Sequence, residues 1–142
     1  MGKEEEIKQM MKQAIGITDE DFQTHISYPK NLRLSERAPE LMKYKIIAEV
    51  TESKYCMAGL KPGQKYTFNA FPAMLLTEES DCPLCVRAIG PIADLMVGFW
   101  ERIVEGVDPN QGMRHMAECL DPGVSRGGLG HVVFKVYARK TG

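Results

Sequence analysis

Residues 83–105 constrain the fold more than any other stretch of this chain. They are apolar at most positions and close on Gly106. Arg87, Asp94 and Glu101 recur every seven residues and, with Arg102 and Glu105, make one narrow polar stripe. That spacing predicts a long helix. A helix with a single buried face shows a narrower apolar stripe than this one. It is therefore expected to be covered twice, by a sheet on one side and by an N-terminal arm or a second subunit on the other. A homodimer is the expected assembly. Pro83 fits the first helical position, where its missing N–H costs nothing. Pro91 lies within the run and predicts a kink or restart there.

The flanking segments read as strands. Residues 44–50 form one, Lys61-Pro62-Gly63-Gln64 is a turn, and residues 65–68 return from it. A short strand is expected near residues 74–76. Beyond the helix, residues 114–119 and 131–138 make two more strands around a glycine-rich loop, residues 121–130. The order ββαββ predicts an α+β fold, a mainly antiparallel sheet with one long helix on its face. Residues 1–43 read as a helical arm. Ile7, Met10, Met11, Ala14 and Ile15 recur at helical spacing before Gly16, Thr18 is placed to cap a second helix that Pro29 ends, and Ser35 to cap a third. Residues 44–142 then form the main domain. A chain of 142 residues with 44% hydrophobic and 26% charged content supports one such core.

Four cysteines mark the ends of these elements. Cys56 ends an apolar run, Cys82 and Cys85 open the helix as Asp-Cys-Pro-Leu-Cys, and Cys119 precedes Asp121-Pro122-Gly123. Thiols at element ends converge readily, and a converged set suits zinc or an iron–sulfur cluster. At a helix start the dipole favours thiolate, which makes Cys82 the leading reactive sulfur. Only one C-x-x-C is present, so the chain is neither a zinc ribbon nor a bacterial ferredoxin. A buried cysteine is also an ordinary small hydrophobe. His131 and His115 are secondary ligand candidates, and His25 lies in the arm. Residues 126–130 offer backbone N–H groups to an anion. Asp121 is a candidate acid or base, although an Asp-Pro-Gly turn already explains it.

From residue 44 to 138, about two thirds of the chain, the sequence resembles a small prokaryotic family known only as an uncharacterized repeat protein family. Its motifs are C-x-x-G-H-x-x-G-D at a strand end, C-P-x-A at a helix start with a later proline, and C-P-D-P before V-x-F. The counterparts here are Cys56-Met57-Ala58-Gly59-Leu60 through Gln64, Cys82-Pro83-Leu84-Cys85 with Pro91, and Cys119-Leu120-Asp121-Pro122 followed by Val132-Val133-Phe134. Leu60 and Gln64 stand where the family has histidine and an acid, and Cys85 where it tends to have alanine. The resemblance implies a grouping of Cys56, Cys82 and Cys119. Three thiolates would leave an open coordination position for catalysis, and a fourth from Cys85 would close it.

The leading expectation is a small metal- or iron–sulfur-binding protein with ligands Cys56, Cys82, Cys85 and Cys119. The alternatives are a thiol–disulfide oxidoreductase with Cys82 as nucleophile and Cys85 as resolving thiol, and a non-catalytic binding or subunit protein. A net charge of -1 gives no reason to expect nucleic acid. No apolar stretch is long enough to span a bilayer, and the acidic N-terminus is not a signal peptide, so the cytoplasm is expected.

Overall fold

Capping residues set the helices of the N-terminal unit. The computed structural model describes residues 2–141 and divides the chain into two compact units, Met1–Glu40 and Leu41–Gly142. In the first, α1 (Lys3–Ile15) carries three glutamates in its first turn and ends on Gly16, whose left-handed φ of 69° lets its N–H return to the Lys12 carbonyl. Thr18 caps α2 (Asp19–Ile26), its Oγ1 accepting from the Asp21 N–H at 3.0 Å. Lys12 and Asp19 pair across the connection. The third helix, α3 (Pro29–Leu41), starts at Pro29 rather than near Ser35. The proline that ends α2 is also preorganised for a first helical turn, so the two helices follow almost directly.

The second unit is α+β. Its strands are β1 (Tyr44–Lys54), β2 (Lys65–Asn69), β3 (Met116–Glu118) and β4 (His131–Lys140), in the spatial order β2-β1-β4-β3, with every pair antiparallel. The 20-residue helix α4 (Val86–Glu105) lies between β2 and β3 in the chain. Period-2 alternation selects one sheet face. Ile46 stands between Phe68 and Ala138, and Ala48 between Tyr66 and Val136. These side chains form the core with Ala88, Ile92, Leu95, Met96 and Phe99 of α4. Burying such a set, at about 1.5–3 kcal/mol for each large apolar side chain, makes the helix–sheet layer the main source of stability.

Three local expectations need correction. The helix begins at Val86, not at Pro83, with Cys85 as its N-cap. The third strand is limited to Met116–Glu118, although the His115 carbonyl still accepts from the Val136 N–H at 2.7 Å. The expected strand at residues 74–76 is a single bridge between Leu75 and Phe68. Helix α4 runs through Pro91 without a restart and ends on Gly106, at φ 77°. It buries one stripe, while Val86, Gly90, Ala93 and Val97 on another face are exposed. No helix among the described residues is long and apolar enough to cross a membrane.

Candidate functional site

Three chain segments meet at one end of the sheet. The first is the turn after β1. Tyr55 adopts a left-handed φ of 59°, and the Gly59 N–H returns to the Cys56 carbonyl at 3.1 Å. Gly130, just before β4, lies against this turn. A Cβ there would stand 2.7 Å from the Tyr55 carbonyl oxygen and 3.0 Å from the Cys56 Cα. Only glycine permits that approach, and it fixes Cys56 beside the start of β4.

The second segment is Cys82–Cys85. Asp81 anchors it to β2, its carboxylate accepting from the Lys65 N–H at 2.6 Å while its own N–H reaches the Lys65 carbonyl. Tyr66, fully buried on β2, organises the rest. Its hydroxyl donates to the Pro83 carbonyl at 2.5 Å and accepts from the Cys85 N–H at 3.3 Å. Burial pushes the Tyr66 hydroxyl up to about 12, so it remains a neutral donor at physiological pH.

The third segment follows β3, and Pro91 explains its position. A helical residue at 91 would ordinarily donate its N–H to the Arg87 carbonyl, but proline has no N–H. That carbonyl accepts instead from the Leu120 N–H at 3.2 Å. The freed helical acceptor thus ties the Cys119–Asp121 segment to the first turn of α4, next to Cys85. Cys119 also continues the ladder with β4. Its N–H donates to the Val132 carbonyl at 2.9 Å, and its Sγ accepts from the Val132 N–H at 3.3 Å.

The result is a pocket of about 240 Å³ lined by Cys56, Cys85 and Cys119. Leu60, Ala88 and Val132 supply apolar wall, and Arg87 and Asp121 are the charged residues lining it. Cys82 is not part of this lining. It sits in the core, 9% exposed, before the helix rather than on it. Burial first, and the neighbouring Asp81 charge second, push its thiol up to about 12. The helix-start argument for a Cys82 thiolate is therefore overturned, and Cys85 is the sulfur that stands at the N-cap.

Asp121 organises its own loop. Its Oδ1 accepts from the N–H groups of Gly123 and Leu129 at 3.0 and 2.9 Å, and its Oδ2 from Gly130 at 3.0 Å. These N–H groups hold the carboxyl below the usual range, helped by the Arg87 charge. The glycine-rich loop expected to cradle an anion thus wraps the protein's own carboxylate. The His131 Nδ1 lies 2.8 Å from the Asp121 carbonyl oxygen, and its Nε2 is 3.6 Å from Glu118. His115 is exposed and precedes β3, and His25 contacts Ser35 in the first unit. None of the three histidines lines the pocket. Sequence reasoning missed Tyr66, Arg87 and Gly130. Arg87 was visible only as part of the polar stripe of α4.

Among the described residues, no three cysteine, histidine or acidic side chains are gathered tightly enough, as they stand, to hold a metal ion. Comparison with protein-family models, curated proteins and solved structures returned no match to this chain.

Proposed function

We propose that the pocket is a thiolate site for an iron–sulfur cluster or a zinc ion, with Cys56, Cys85 and Cys119 as ligands and Cys82 behind them as a fourth sulfur. One observation carries this reading: cysteines from three segments remote in sequence line one pocket. The donor set fits. Thiolate ligands are stabilised by N–H donors, such as the one Val132 offers to Cys119. The space also fits, since a pocket of about 240 Å³ is far larger than the space one water needs. A closed four-thiolate zinc site has no need of such space, so the volume favours a cluster or an ion with an open position. Ligation requires side-chain rotation into the pocket, which the exposed turn at Met57–Gly59 accommodates. The bound group would supply electron storage or a Lewis-acid position.

The thiol–disulfide alternative is less well supported. A reactive cysteine is exposed and has a lowered pKa, whereas Cys82 is buried and shifted upward. The resemblance to the repeat-protein family belongs to the same proposal, with Cys85 taking the pocket position that the family pattern gives to Cys82. So does the homodimer, for which the exposed stripe Val86, Gly90, Ala93 and Val97 of α4 is the supporting face. The test is metal content, after anaerobic purification, of Cys56→Ser, Cys85→Ser and Cys119→Ser. Each is expected to lose metal, and retention of full metal by all three would overturn the reading.

A further inference from the structure

Arg87 bears on what else this pocket accepts. Among the described residues it is the one cation lining a pocket whose other walls, apart from Asp121, are largely apolar. Its backbone is fixed twice, by the first turn of α4 and by the Leu120 N–H on its carbonyl. Arg87 lines the same pocket as Asp121. The Asp121 carboxylate already accepts from three backbone N–H groups. Apolar walls beside a guanidinium match a ligand with a short apolar body and a planar anionic head. Arginine pairs with a carboxylate through two parallel N–H donors. Inorganic phosphate would match the guanidinium, but it would leave other oxygens without partners against Leu60, Ala88 and Val132.

We propose that the cysteine pocket binds a small aliphatic monocarboxylate, its carboxylate paired with Arg87 and its chain lying on the apolar wall. The acid would fill the space that a cluster would fill, so the two compete for one pocket, and the proposal does not rest on the thiolate reading. A four-carbon acid has six heavy atoms and fits within about 240 Å³.

The experiment titrates the full chain with butyrate, followed by amide and Arg side-chain NMR shifts, with butyramide and inorganic phosphate as controls. Butyrate is expected to saturate, moving signals of Arg87, Leu120 and Val132. Arg87→Gln is expected to weaken it about tenfold or more, the scale of a charge-assisted pair, with partial recovery in Arg87→Lys. Butyramide and phosphate are each expected to bind more weakly than butyrate. Arg87 is exposed, so the thermal midpoint of Arg87→Gln should match the parent. No saturable binding, equal affinity in Arg87→Gln, or equal affinity for butyramide or phosphate would each overturn the proposal. Metal content measured on the same samples separates the two readings. Metal-free protein that binds butyrate leaves this site standing alone, and metal-free protein that ignores butyrate removes it.

Discussion

Replacing Tyr66 by phenylalanine deletes one oxygen and leaves the ring in place. The ring packs 5.8 Å from Phe134 and 6.3 Å from Phe68, contacts that the variant keeps. The lost oxygen holds the Pro83 carbonyl at 2.5 Å and the Cys85 N–H at 3.3 Å. Leaving a buried polar group without a partner costs about 1–3 kcal/mol, and the longer of these two bonds belongs at the low end. A loss of about 2 kcal/mol is expected, or about 10 °C in Tm for a unit of this size. Urea unfolding with an unchanged m-value measures it. The sign of the pH dependence follows from burial, which raises the folded-state hydroxyl from 10.0 to about 12. The stabilisation is fully present below the unfolded value and is lost as pH rises through the folded one. The gap between wild type and Tyr66→Phe should therefore be flat from neutral pH to about 10 and shrink above it. A loss under about 0.5 kcal/mol, within the range of neutral surface changes, would refute the assignment of Tyr66 as the organiser of the Cys82–Cys85 segment.

Other perturbations test the remaining joints of the site. Gly130→Ala places a Cβ 2.7 Å from a backbone oxygen. It should destabilise by about 1–3 kcal/mol in urea and shift the Cys56 amide in NMR spectra. Pro91→Ala restores a helical N–H that competes for the Arg87 carbonyl. It should accelerate hydrogen exchange at Leu120 even as helix propensity improves, by up to about 3 kcal/mol in a helix interior. Unchanged protection at Leu120 would show that the tether does not depend on the proline. Val97→Glu charges the exposed face of α4. Sedimentation should show a dimer converted to monomer, and a wild-type monomer would end the homodimer proposal.

The sequence was most legible where the signals are local. Gly16, Thr18 and Gly106 capped their helices as their chemistry requires. Residues 44–50 and 131–138, read as strands, lie within β1 and β4. The start of α4 was misread because Pro83 suits a first helical turn locally. A residue seventeen positions earlier, Tyr66, claims the Pro83 carbonyl and the Cys85 N–H and keeps that stretch extended. This shift exchanged the places of Cys82 and Cys85 in the site. Pro91 was read as a kink or restart, yet its consequence lies in the carbonyl it frees and in Leu120, which no periodicity connects to it. The glycine-rich loop was read correctly as a collector of N–H groups, but its anion is Asp121, from the same loop. Convergence of Cys56, Cys85 and Cys119 depends on these long-range bonds, so spacing alone could propose it but not assign the members.

The most direct test of the central claim is the metal and acid-labile sulfide content of the wild-type chain purified without air, read together with its visible spectrum. The account predicts stoichiometric bound metal. For a cluster this means iron with matching sulfide and a broad thiolate-to-iron absorption, and for zinc a colourless protein with one ion per chain. Colourless protein with neither metal nor sulfide, and with no zinc uptake when zinc is added, would contradict it.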